Sequence, residues 1–109
     1  MVQQIHVREL QRRLAAGELV YLIDVRQPWE HETVALPDSL LIPLAELLAR
    51  SGEIKPPAGA LVVAYCHHGI RSLSAAALLE QLGFRPAASL GGGIDAWSRD
   101  VDPSMPRYG

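Results

Sequence analysis

Residues 60 to 65, Ala-Leu-Val-Val-Ala-Tyr, are apolar at every position and too few for a helix of ordinary length. A strand with one wet face alternates polar and apolar side chains, whereas a strand without alternation must be covered on both faces. That condition is met at the centre of a parallel sheet with helices above and below it, and the rest of the chain has the alternation such a sheet needs. Gln3 to Val7 reads as a short first strand, followed by Val7, Leu10 and Leu14 at helical spacing and Gly17 as a stop. Val20 to Asp24 is a buried strand ending on a carboxylate, and Pro28 suits the first turn of a helix. Leu40 to Ile42 is a brief strand, after which Pro43 opens a short helix carrying Leu44, Leu47 and Leu48 and closing around Gly52. Lys55 to Gly59 is a breaker cluster. Beyond the central strand, Leu73 to Leu82 is a mostly buried helix, Ala87 to Leu90 a last strand, Gly91 to Gly93 a tight turn and Ile94 to Ser98 a helical turn. The expected architecture is one α/β domain over residues 1–109, in three layers, with a mainly parallel central sheet and helices on both faces. Residues 100–109 carry two prolines and read as an extended surface tail.

Composition narrows the function. Of 109 residues, 49% are hydrophobic and 20% charged, with a net charge of −2, as in ordinary globular proteins. There is no basic block to meet nucleic acid, and no run near the roughly 18 apolar residues of a membrane span. The N-terminus lacks the apolar stretch of a signal peptide, so a cytoplasmic location is expected. The single cysteine, Cys66, excludes an internal disulfide, and any second sulfur in its chemistry must come from another molecule.

Cys66 falls at the carboxyl end of the central strand, just before a helix. Ligands of open α/β sheets bind at that edge. A turn folded back there aims successive backbone N–H groups inward, and the helix N-terminus adds partial positive charge. Both favour an anion at the loop centre, the setting of reactive thiols. Gly69 allows a positive φ in a closed loop, and Arg71 adds a permanent charge. The plainer reading is a small buried strand-end residue, since free cysteines are often simply buried.

The segment Cys66-x-x-Gly69-x-Arg71-Ser72 resembles the active-site loop of single-domain rhodaneses, the rhodanese-like sulfurtransferases. Leu22 to Glu32 is similar to that family's Asp-Val-Arg-x-x-x-Glu segment, Leu40 to Leu47 to its Ile-Pro-Leu connection, and Leu90 to Ser98 to its Gly-Gly-x-x-x-Trp ending. The likeness covers about residues 3 to 99. One stretch departs: where the family pattern resembles Gly-His-Ile-Pro-Gly-Ala, residues 34–39 read Val-Ala-Leu-Pro-Asp-Ser, keeping only Pro37.

The resemblance implies a double displacement through a Cys66 persulfide. The sulfur would come from thiosulfate or a persulfide donor and pass to cyanide or a thiol, with no metal or organic cofactor. Cys66 and Arg71 are the expected catalytic residues. His67, His68, Gly69, Ile70 and Ser72 line the substrate loop, and Asp24 and Arg26 support it, Asp24 more simply by capping or pairing with Arg26 than by catalysis. The two histidines could move protons or merely shape the loop mouth. A sulfur-carrier or adaptor module docking to a desulfurase or an adenylylating partner would use the same persulfide, and a silent binding domain would not need Cys66 and Arg71.

Other chemistries fit less well. Cysteine-dependent phosphatases of similar fold have Cys-x-x-x-x-x-Arg, one residue longer than Cys66 to Arg71, and an arsenate reductase needs a resolving cysteine. Cys66, His67 and His68 are consecutive and diverge too much for tetrahedral zinc. Gly91 to Gly93 lacks the spacing of a dinucleotide fingerprint. Trp29 and Trp97 read as packing residues.

Overall fold

A computed structural model describes residues 2–109. Five strands, β1 (Gln3–Ile5), β2 (Val20–Asp24), β3 (Leu40–Leu41), β4 (Leu61–Tyr65) and β5 (Ala87–Leu90), form one sheet in the order β1-β5-β4-β2-β3. Every pairing is parallel. Three helices connect strands, α1 (Val7–Ala15), α2 (Pro28–Thr33) and α3 (Arg71–Gln81), and α4 (Gly93–Asp100) follows β5.

The non-alternating strand sits at the centre as expected, and its side chains divide between two cores. Leu61, Val63 and Tyr65 join Val7 and Leu10 of α1 and Ile94 and Trp97 of α4 on one face. Val62, Ala64 and Cys66 join Ala75 and Leu79 of α3, with Leu47 and Ile54, on the other. Period-2 geometry makes both layers apolar from one run. Cys66 thus belongs to the α3 layer.

Several boundaries differ from the sequence reading, β1 among them, which ends at Ile5 rather than Val7 because Val7 opens α1. The segment after Pro43 forms two 3-10 turns, Leu44–Glu46 and Ser51–Glu53, instead of one helix. One buried leucine, Leu47, anchors it while Leu48 faces solvent, which is too narrow an apolar stripe for a regular helix. Helix α3 begins two residues earlier, at Arg71, so no spacer separates it from the thiol loop. Helix α4 extends to Asp100 because Gly93 already belongs to its first turn. In the divergent stretch, Asp38 takes φ +59, the left-handed conformation, where the family pattern carries glycine. Aspartate tolerates that region better than most residues. Leu36 N–H and Ser39 Oγ both bond Tyr65 Oη, at 3.1 and 2.8 Å, fastening the turn to β4.

The tail is not a free extension. Residues 101–105 turn, and the chain returns across the carboxyl edge of the sheet, with Met105 and Tyr108 packed on the α1–α4 core. Among the described residues no helix is long and apolar enough to cross a membrane.

Candidate active site

The site starts from the end of β4. Once the strand stops, Cys66 Sγ remains on the α3 side, and the chain curls around it before α3 begins. Gly69 N–H donates to Sγ at 3.1 Å and Ser72 N–H at 3.3 Å. The second belongs to the first helical turn, where N–H groups lack intrahelical partners and the helix dipole is positive. Ser72 Oγ lies 3.4 Å from Sγ and 2.7 Å from Ser89 Oγ on β5. Only 1% of Cys66 is exposed.

While these amides point inward, the loop carbonyls point outward and are bonded from outside. Ile94 N–H donates to Cys66 O at 2.9 Å and Asp95 N–H to His67 O at 3.1 Å, both from the start of α4. This is what Gly91 to Gly93 make possible. Gly93, at φ +63, packs so closely that a Cβ would overlap the Cys66 and His67 carbonyl oxygens. Gly69, at φ +94, adopts the left-handed turn that brings its own N–H onto the sulfur, and its missing Cβ would stand 3.0 Å from Gly92 N.

Arg71 does not stand as a free charge. Its guanidinium grips Glu30 of α2 in a two-bond fork, 2.7 and 2.9 Å. Glu30 also accepts from Gln27 N–H at 3.0 Å and from the Tyr108 hydroxyl at 2.6 Å. Burial pushes the Glu30 carboxyl up, but Arg71, Tyr108 and the Gln27 amide outweigh it and hold the pKa at about 2. Glu30 in turn raises the Arg71 pKa. The guanidinium is therefore fixed in direction, with much of its charge matched.

Behind this pair lies a second. Arg26 and Asp24 are fully buried and joined at 2.7 and 2.8 Å. Burial works against the Arg26 charge, yet Asp24 outweighs it and the pKa is raised. Arg26 Nη2 also donates to Val34 O at 2.7 Å, and Nη1 to Tyr108 Oη at 3.0 Å. Asp24 thus pairs with Arg26, the simpler of its expected roles, and Tyr108 links the two ion pairs.

The remaining loop residues divide by position. His68 and Ile70 face solvent, Ile70 with 76% exposure, and their N–H groups do not reach Sγ. His67 folds inward: its ring stacks on Tyr108 with centroids 4.0 Å apart, and among the described residues neither ring nitrogen has a hydrogen-bond partner. Burial, with the neighbouring His68, lowers its pKa, so it is neutral at pH 7. Donor atoms of His67, His68 and Asp95 lie within 4.8 Å of one another. Both Asp95 oxygens are already held by Arg107, at 2.8 and 2.9 Å.

Sequence reasoning had no role for Glu30, Ser89, Asp95 or Tyr108. Glu30 stood in the quoted Asp-Val-Arg-x-x-x-Glu segment and was the one with a signal. Tyr108 lies 78 residues from Glu30, with no periodicity to connect them.

A parallel sheet whose central strand delivers one sulfur onto two backbone amides makes this a thiol-centred α/β domain. Comparison supplies the family: the chain belongs to the rhodanese-like domain family, whose model matches residues 6–100. It is 41% identical over 99 residues to a sulfurtransferase of Allochromatium vinosum, covering 91% of each chain. It is 39% identical over 101 residues to the probable adenylyltransferase/sulfurtransferase MoeZ of Mycobacterium tuberculosis, covering 93% of this chain. The chain spans about a quarter of that relative, 26% of its length. The solved structure of the human single domain sulfurtransferase TSTD1 superposes with a TM-score of 0.76 at 27% identity, covering 92% of this chain and 98% of that one.

Proposed function

We propose that this domain transfers sulfane sulfur through a Cys66 persulfide. The observation that carries the reading is the pair of N–H groups on Sγ, from Gly69 and the first turn of α3, because they stabilise an anionic sulfur where it must form. The Cys66 thiolate attacks the outer sulfur of thiosulfate. A new S–S bond forms, the old one breaks, and its electron pair leaves with sulfite. In the second step an acceptor thiolate or cyanide attacks the outer sulfur of the persulfide, and the Cys66 thiolate departs with the bonding pair. Both steps are displacements at sulfur of the thiol–disulfide kind and need no metal or organic cofactor. Arg71, held in direction by Glu30, faces the incoming anion from one side of the loop. Neutral His67 shapes the mouth and carries no charge into it.

Incubation with thiosulfate followed by non-reducing intact-mass measurement should add one sulfur atom, removed by cyanide and absent in Cys66→Ser. Failure to take sulfur from thiosulfate or from any persulfide donor would overturn the proposal.

A relay role is a second reading, favoured by the match to one quarter of an adenylyltransferase/sulfurtransferase. The same persulfide would then be filled by a desulfurase and emptied to an adenylylated partner. Rapid loading from a protein persulfide beside negligible thiosulfate turnover would select it.

A further inference from the structure

The tail brings two side chains to the thiol loop, and together they form a strap over it. Arg107 forks onto Asp95 at the start of α4, on the outer rim. One residue on, Tyr108 touches one end of the loop directly and is linked to the other through Glu30. Its ring stacks on His67, the residue after Cys66, with planes 26° apart. Its hydroxyl donates to Glu30, the partner of Arg71 at the loop's far end, and accepts from Arg26. Trp29 closes the other edge of the ring at 5.6 Å in a T-shaped contact. Gly109 follows against His67, where even one added methyl carbon would come within 2.9 Å of Nε2. The open cavity beside the loop is walled by His68, Asp95, Arg107, Tyr108 and Gly109, and Cys66 is not on its wall.

The two anchors differ in character. Arg107 is more than half exposed, so its ion pair is weak and screened by salt. The Tyr108 hydroxyl is part-buried between charged partners. Burial and Glu30 push its pKa to about 12, so it keeps its proton for donation throughout the neutral range.

We propose that Tyr108 is a specificity-determining residue, through which the strap sets which sulfur donors reach Cys66: small anions pass, and a sulfur borne on a polypeptide must first displace it. This rests on the reading of Cys66 as the sulfur-carrying thiol. The size argument is geometric. The outer sulfur of a cysteine persulfide stands one side chain away from its own backbone, so a protein donor needs the space that Tyr108 and Gly109 fill. Thiosulfate brings no backbone and requires only local movement of the loop mouth. Trp29 and Ile70, exposed with the strap in place, offer such a donor apolar surface beside the loop.

Thiol alkylation tests the strap without any sulfur donor. Iodoacetamide and a polyethylene-glycol maleimide are reacted with the full chain and with Tyr108→Ala, Tyr108→Phe and Arg107→Ala, and the ratio of bulky to small reagent rates is read. Tyr108→Ala should raise that ratio at least about tenfold, the change in open population that losing hydrogen bonds to charged groups produces. Tyr108→Phe, which keeps the ring on His67, should raise it less. Arg107→Ala, on the exposed rim, should raise it at low salt and converge with wild type at high salt. Equal acceleration of both reagents would mean that Tyr108 alters the thiol and not its access, and would overturn the proposal, as would an unchanged ratio. Should Tyr108→Ala fail to unfold cooperatively, the Tyr108→Phe and Arg107→Ala ratios decide alone. A protein that alkylates as expected but takes sulfur from no donor would sink the sulfur-transfer reading while leaving the strap in place.

Discussion

Glu30→Gln asks whether the Arg71 guanidinium is held by a carboxylate or merely packed beside one. Glu30 is 4% exposed, so burial alone would raise its pKa. Instead it titrates at about 2 against an ordinary 4.5, because Arg71, Tyr108 and the Gln27 amide all donate to it. At about 1.4 kcal/mol per pH unit, that fall corresponds to roughly 3 kcal/mol of preference for the carboxylate in the folded protein. A carboxyl whose pKa is depressed on folding contributes this stability fully above pH 4.5 and loses it as the pH falls through 2. Glutamine keeps the shape and one carbonyl acceptor but cannot ionise. At pH 7 the variant should be less stable by up to about 3 kcal/mol, since Arg71 and Tyr108 retain a weaker acceptor. Urea unfolding at a series of pH values from 7 to 2.5 measures both proteins. The wild-type advantage should shrink steadily below pH 4.5 until the curves approach each other. Other carboxylates, Asp95 among them, titrate in both proteins and cancel in the difference. Parallel curves, or a gap that widens in acid, would refute the assignment of the Glu30 pKa to its three donors.

Two further substitutions probe the walls of the loop. Gly93→Ala places a methyl group against the Cys66 and His67 carbonyls, which are backbone and cannot swing aside. It should cost roughly 1–3 kcal/mol in thermal or urea unfolding, and slow thiosulfate transfer well beyond what that loss explains, because α4 no longer holds the loop carbonyls. His67→Phe keeps a ring for Tyr108 to stack on and removes two buried nitrogens that have no partner. It should stabilise the protein by about 1 kcal/mol at pH 7.5. The gain should be larger at pH 5.5, because the His67 pKa is depressed on folding and stability present above its ordinary 6.5 is lost as the pH falls. A variant less stable than wild type at both pH values would mean that His67 finds a hydrogen-bond partner in solution.

Much of this protein could be read from short stretches of chain. The apolar run from Ala60 to Tyr65 required cover on two faces, and a parallel sheet with Cys66 at its carboxyl edge followed from that. Gly69 and a helix starting within a few residues of it were enough to expect amides around an anion. These features are legible because periodicity reports how many faces of a segment are buried, and because a loop between a strand and a helix draws its donors from its own backbone. The partners of the charged groups were decided elsewhere. Arg71 was read as a permanent positive charge beside the thiol, and folding pairs it with Glu30, 41 residues away. The tail was read as an extension, and folding lays Tyr108 between Glu30 and Arg26, across 78 and 82 residues. Gly93 was read as part of a turn, and the approach of α4 makes it a contact surface for the thiol loop. No spacing rule connects such residues. A side chain far along the chain becomes a neighbour only when the fold brings the ends of β2 and β4, the start of α4 and the tail to one edge. The thiol and the amides beside it were therefore local information, whereas the balance of charge around them belongs to the tertiary structure.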